Sequence, residues 1–137
     1  MRVEVLALTG VKFEGEAEEI QLTTTNGQIG ILPHHEPMVA QVVAGPVTVK
    51  PTSGKPEIFA TFGGLVEIFP DRVRLLADEA DHESELVAEE IEEALERAKQ
   101  LRSEAKTDHD LEVAQQMIDR QTVRLGVARL RRHNRDR

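Results

Sequence analysis

The hydrophobic period of this chain changes once, near Ala77, and that change decides most of what it can fold into. From Arg2 to Leu76 apolar and polar residues alternate, and turn-forming residues recur every several positions. Successive side chains of a strand point to opposite faces, so the pattern predicts short antiparallel strands closed into a β-sandwich or flattened barrel. Strands are expected at Val3 to Leu8, Glu18 to Thr24, Gly30 to Leu32, Met38 to Val43, Val47 to Lys50, Lys55 to Gly63, Leu65 to Phe69 and Arg72 to Leu76. Asn26-Gly27, Gly45-Pro46, Ser53-Gly54, Gly63-Gly64 and Pro70-Asp71 separate them, each a turn or breaker signal.

Beyond Ala77 the period becomes that of a helix. Leu86, Ile91, Leu95, Ala98, Leu101 and Ala105 mark one face while glutamates occupy the others, predicting an amphipathic helix from about Glu85 to Ala105 with Ser84 as its N-cap. Lys106 to Asp110 interrupts the pattern, and Asp108 or Asp110 is placed to cap a second helix. Its stripe is Leu111, Ala114, Met117, Ile118 and Leu125, running toward Leu130. So short a break between two amphipathic helices implies an antiparallel hairpin. The expected division is a sandwich over residues 1–82 and a helical hairpin over 83–137. The hairpin seam is rich in alanine, which buries little area, so this unit is expected to undock or rearrange easily. Made into one rod, residues 85–133 would span about 70 Å.

Composition closes several routes. A chain of 137 residues without Cys, Trp or Tyr has no disulfide framework and no thiolate metal site. The N-terminus interleaves charge with apolar residues, unlike a signal peptide, and no apolar run reaches the length of a membrane span. A soluble chain is expected, with any link to a membrane made through a partner. The net charge of -8 argues against nucleic acid as a partner. That total hides a polarity: residues 78–93 hold nine acids and neither Lys nor Arg, whereas residues 119–137 hold seven Arg against two Asp. Arg120, Arg124, Arg131 and Arg135 recur near helical spacing, joined by Arg129, Arg132 and Arg137. Without aromatic residues for base stacking, an acidic protein surface is the expected target of this end.

One segment departs from simple alternation. In GQIGILPHHEPMV, Gly27 to Val39, Pro33 and Pro37 bracket His34, His35 and Glu36. Proline fixes its own φ and biases its predecessor, so this is a rigid polar loop on a sheet scaffold, a common form of contact surface. His34 and Glu36 could face one metal, whereas adjacent His34 and His35 point apart, and no third ligand stands nearby. No phosphate-binding loop is present, and the acidic run lacks the residue order of a calcium loop. No catalytic constellation, cofactor or metal is therefore expected.

Three readings stay open on these residues: a structural and regulatory subunit of a larger machine, an adaptor whose arginine-rich hairpin binds an acidic partner, and a metal-dependent hydrolase using His34 and Glu36. A resemblance favours the first. GQIGILPHHEPMV, the phrase FGGLVEIFPDRVRLLADEA from Phe62 to Ala80, and ALERA at Ala94 to Ala98 together resemble the epsilon subunit of F-type ATP synthase over essentially the whole chain. The resemblance implies a non-catalytic rotor subunit whose sandwich binds the gamma subunit and stands on the c-ring. It places Gln28, His34, His35 and Glu36 on the c-ring-facing surface, and the complex on the cytoplasmic face of the bacterial inner membrane. It also implies a hairpin that, when extended, reaches the catalytic alpha/beta hexamer and inhibits ATP hydrolysis, with Arg120, Arg124, Arg129, Arg131 and Arg132 near acidic beta-subunit residues. Many bacterial relatives bind ATP through an apolar-Asp-x-x-Arg-Ala motif, which falls here on Leu86 to Ile91. Val87 stands at its Asp position and Glu90 at its Arg position. Without the cation, and with glutamates beside a triphosphate, little or no ATP binding is expected.

Overall fold

The computed structural model describes residues 1–135; the side chains of Arg132, Asn134 and Arg135 lie outside the described part. The chain divides into two compact units, Met1–Glu83 and Ser84–Arg137.

The first unit is built of nine strands: β1 (Arg2–Ala7), β2 (Gly10–Thr24), β3 (Gly27–Ile31), β4 (Met38–Val42), β5 (Gly45–Pro51), β6 (Glu57–Thr61), β7 (Gly64–Ile68), β8 (Arg72–Ala77) and β9 (Ala80–His82). The hydrogen-bonded order is β1-β8-β7-β4-β2-β5-β6-β9, with β3 on β2 and β1 also on β2. Strand β2 is the hinge of this arrangement. Its first half pairs with β1, and its second half lies between β3 and β5, with Ile20 opposite both Ile31 and Val49. One long strand thus belongs to both layers, which produces the flattened-barrel sandwich expected from the alternation.

Two features go beyond the sequence reading. Strand β2 starts at Gly10 rather than near Glu18; in its first half Phe13 packs against the core, but glycines at 10 and 15 and charges at 12, 14 and 16 leave too little apolar alternation to mark a strand. One ladder is parallel: β1 runs alongside β8, from Arg2 opposite Arg72 to Leu6 opposite Leu76. All other ladders are antiparallel, as the short hairpin turns require.

The core lies between the layers and contains Val3, Val5, Ile20, Leu22, Ile31, Val47, Val49, Phe59, Val66, Ile68, Val73 and Leu75, all essentially inaccessible. Its two buried polar side chains among the described residues are both satisfied. Thr24 Oγ1 donates to the Gly27 carbonyl at 3.0 Å and accepts from the Asn26 amide at 3.1 Å, stapling the β2–β3 turn. Thr61 Oγ1 donates to the Gly45 carbonyl at 3.1 Å. At Gly64, with φ 141°, an added Cβ would sit 2.3 Å from the Leu76 carbonyl oxygen, so β7 approaches β8 more closely than any side chain permits.

The second unit holds α1 (Ala88–Glu104) and α2 (Asp108–Arg135), joined by Ala105, Lys106 and Thr107. The connection is three residues long, shorter than the predicted break, and the pairing is antiparallel, with Arg102 Nη1 donating to Gln115 Oε1 at 3.1 Å across it. Helix α1 starts later than expected. Ser84 lies in a one-turn 3₁₀ segment, Glu83–Glu85, and extended Val87 takes the N-cap position with no side-chain cap bond. The cap of α2 is Thr107, not an aspartate: its Oγ1 accepts from the Asp110 amide at 3.1 Å, leaving Asp108 and Asp110 in the first turn, where the helix dipole favours acids. Ile91, Ala98, Ala114, Ile118, Leu125 and Ala128 are buried. No helix of the described residues is long and apolar enough to cross a membrane.

Candidate functional site

The bracketed loop connects β3 to β4. Leu32, His34, Glu36, Met38 and Val39 are exposed and His35 is half-buried. His34 has φ 69°, the one positive value at a non-glycine residue among those described, and its amide donates to the Pro70 carbonyl at 2.8 Å. His35 Nδ1 donates to the Glu36 carbonyl at 2.8 Å, and its Nε2 has no hydrogen bond among the described residues. The β7–β8 turn beside it is tight, with the Phe69 amide donating to the Arg72 carbonyl at 2.8 Å and the Arg72 guanidinium 4.6 Å above the Phe69 ring. No group of three His, Asp or Glu side chains able to hold a metal occurs among the described residues.

Gln28 is exposed too, but it sits near the start of β3, opposite Thr23, whereas the loop follows the strand's end. About 10 Å of strand separates Gln28 from Ile31. The predicted contact residues therefore share an edge rather than a spot. Strand β3 pairs with β2 alone among the described residues, so its outer edge carries an open row of backbone donors and acceptors.

A second surface was missed by the sequence reading. On the outer face of one layer, Leu65 is opposite Leu76, Leu76 opposite Leu6, and Leu6 opposite Val11. These cross-strand partners form one apolar row across four strands, and Leu65, Leu76 and Val11 are 39, 38 and 60% exposed. Such a row on a solvent face marks an interaction surface. The neighbouring row is charged but internally paired. Arg74 Nε donates to Glu4 Oε2 at 3.1 Å, Arg2 bonds both Glu4 and Glu14, and the Arg74 bond foremost, with Arg2, holds the Glu4 carboxyl below its ordinary range. The doublet Leu75-Leu76 is the sequence signal for this row, since strict alternation would have made one of the two polar.

In α2, Arg120, Arg124 and Arg131 are half-buried and Arg129 is exposed. The Arg132 and Arg135 side chains, and Arg137 entirely, lie outside the described residues. Val87 and Glu90 are exposed at the start of α1.

A β-sandwich with an open strand edge and an exposed apolar row, followed by an arginine-bearing helical hairpin, has the build of a protein-interaction subunit. The sandwich, residues 1–83, matches the family model for the β-sandwich domain of the ATP synthase delta/epsilon chain. The chain is 36% identical over 129 residues to the ATP synthase epsilon chain of Halalkalibacterium halodurans, covering 93% of this chain and 96% of that one. It is 33% identical over 134 residues to that of Herpetosiphon aurantiacus, covering 97% of each. A chain in the structure of Euglena gracilis mitochondrial ATP synthase shares the fold, with a TM-score of 0.74 and 22% identity over 85% of this chain and 74% of that one. This chain belongs to the ATP synthase epsilon chain family.

Proposed function

We propose that the chain is the rotor-stalk subunit that joins the gamma subunit to the c-ring and so helps couple proton translocation to ATP synthesis. The apolar row Leu65, Leu76, Leu6 and Val11 carries this reading: it offers a partner an uncharged surface beside which Arg74, Glu4, Arg2 and Glu14 are paired with one another. The open edge of β3 and the loop beyond it, from Gln28 through His34, His35 and Glu36, form the c-ring contact. Attachment to the membrane is then peripheral, on the cytoplasmic face of a bacterial inner membrane. Through Arg120, Arg124, Arg129, Arg131 and Arg132, the hairpin reaches acidic residues of the catalytic beta subunit and restrains ATP hydrolysis. With Val87 and Glu90 at the start of α1, the isolated chain binds ATP weakly or not at all; micromolar affinity by calorimetry would contradict this.

Co-expression with gamma is the decisive experiment. The wild-type chain should co-purify with gamma in a one-to-one complex, and Leu76→Glu should abolish that complex while leaving the free chain folded. A complex that survives the substitution would remove the apolar row from the interface. In the assembled enzyme, deletion from Asp119 onward should raise ATP hydrolysis without disturbing assembly, and unchanged hydrolysis would rule out the inhibitory role.

A further inference from the structure

We infer that the two adjacent histidines of the β3–β4 loop have separate tasks: His34 acts through its backbone, as the positioning residue that presents the His35 ring, and the Pro70 carbonyl is its anchor. The left-handed region is open to glycine and tolerated by asparagine, aspartate and histidine, but it is an outlier for a β-branched residue. His34 occupies it at φ 69° while its amide is tied to Pro70 at 2.8 Å. Its ring is exposed and makes no hydrogen bond or ion pair with the described residues. Nothing in those side-chain contacts accounts for the conformation, whereas the backbone bond does.

The anchor is itself held on both sides. Phe69 and Arg72 close the turn around Pro70, and the Arg2 amide donates to the Asp71 carbonyl at 3.0 Å. Strand β1, the β7–β8 turn and the β3–β4 loop are therefore joined by backbone bonds at this end of the sandwich. The reversal at His34, between two prolines, turns the chain so that His35 is half-buried with its Nδ1 proton committed to the Glu36 carbonyl, leaving Nε2 as the ring nitrogen open to a partner. His35 is thus offered to a partner in one ring orientation, and a loop free to reorient would not hold it so.

The inference rests on the c-ring reading only where activity is measured, so the test has two arms. Amide exchange in the isolated full-length chain reads the loop itself, and coupled ATP synthesis in the assembled enzyme reads its use. His34→Gly and His34→Asn should keep the residue-34 amide as protected as in the wild type and lower coupling far less than His35→Ala does. His34→Val should speed exchange at residues 34 and 35 by about tenfold or more and lower coupling as far as His35→Ala does. Protection and coupling both retained in His34→Val would overturn the positioning role. Loss of coupling in His34→Gly with protection intact would overturn it as well, by making the His34 ring a contact. If His35→Ala leaves coupling untouched while the exchange pattern follows expectation, the c-ring reading fails and the positioning of the loop stands.

Discussion

In the sandwich, Phe59, Ile20, Leu22 and Leu75 are wholly inaccessible, whereas in the hairpin Leu101, Leu111, Val113, Met117 and Leu130 remain 40 to 49% exposed. The sandwich has a core between two layers with side chains filling it from both. The hairpin has a seam two helices wide in which Ala98 and Ala114 supply small buried surfaces, so it is held by little apolar area. Its second helix also carries Gly126 in mid-run and Thr122, whose hydroxyl bonds back to the Ile118 carbonyl at 2.7 Å, neither of them a strong helix former. The difference teaches that the two units answer different demands. One fills a closed core from two layers, and the other closes a narrow seam with small side chains.

Four experiments bear on that contrast. The largest effect belongs to Phe59→Ala, which empties the centre of the sandwich and should destabilise it by about 3–5 kcal/mol. Because the chain lacks Trp and Tyr, hydrogen exchange followed by mass spectrometry is the suitable readout. A loss of protection spread evenly over strands and helices would show that the two units fold as one. Next is Ile91→Ala in the hairpin, expected to cost roughly 2 kcal/mol, at the low end for such truncations because a seam of small side chains can close on the gap. Exchange should accelerate in α1 and α2 while β5 and β6 stay protected; accelerated strands would erase the contrast.

Gly126→Ala sharpens the comparison from the opposite side. An added Cβ there meets nothing within 4 Å, so alanine should stabilise α2 by about 1 kcal/mol, seen as slower exchange along that helix. In the assembled enzyme a stiffer hairpin should change the regulation of hydrolysis before it changes the rate of synthesis. The smallest effect is on acid sensitivity, and it is confined to the sandwich. Arg74 foremost holds Glu4 low, and Lys50, whose Nζ donates to Glu19 Oε2 at 2.9 Å, holds Glu19 low with help from Gln21. Both folded-state values lie below the unfolded ones. Their contributions are therefore complete above the ordinary carboxylate range and are lost as pH falls through the lowered folded values. Glu4→Gln should flatten the acid limb of sandwich stability and leave that of the hairpin unchanged; an equal change in both would assign the acid limb to other groups.

Much of this was readable in advance, for definable reasons. Alternation and turn pairs located most strands because each buries one face, and the helical period located both helices because their stripes are long. The first half of β2 escaped because Phe13 is its one large core-facing side chain among glycines and charges, and β9 because three residues are too few for a period. Parallel pairing of β1 with β8 has no local signal, since it depends on what lies 70 residues away. The helix starts were misplaced because capping depends on where the chain bends, which put Thr107 at the cap ahead of two aspartates. At the site, prolines announced the loop. The apolar row became visible only with the strand register, and the left-handed turn at His34 has no counterpart in composition.

The parallel ladder also sets an order of events during synthesis. Strand β1 precedes β8 in the chain, with a separation of 70 residues from Glu4 to Arg74, so Val3 and Val5 find their Val73 and Leu75 neighbours only after β8 has emerged. At about 5–20 residues per second, β1 waits roughly 4 to 14 s for β8 with one backbone edge unpaired. The β1–β2 hairpin, formed locally in microseconds, shields the other edge during that interval. The parallel ladder therefore closes only after β8 has been made, later than any hairpin formed between neighbouring strands before it.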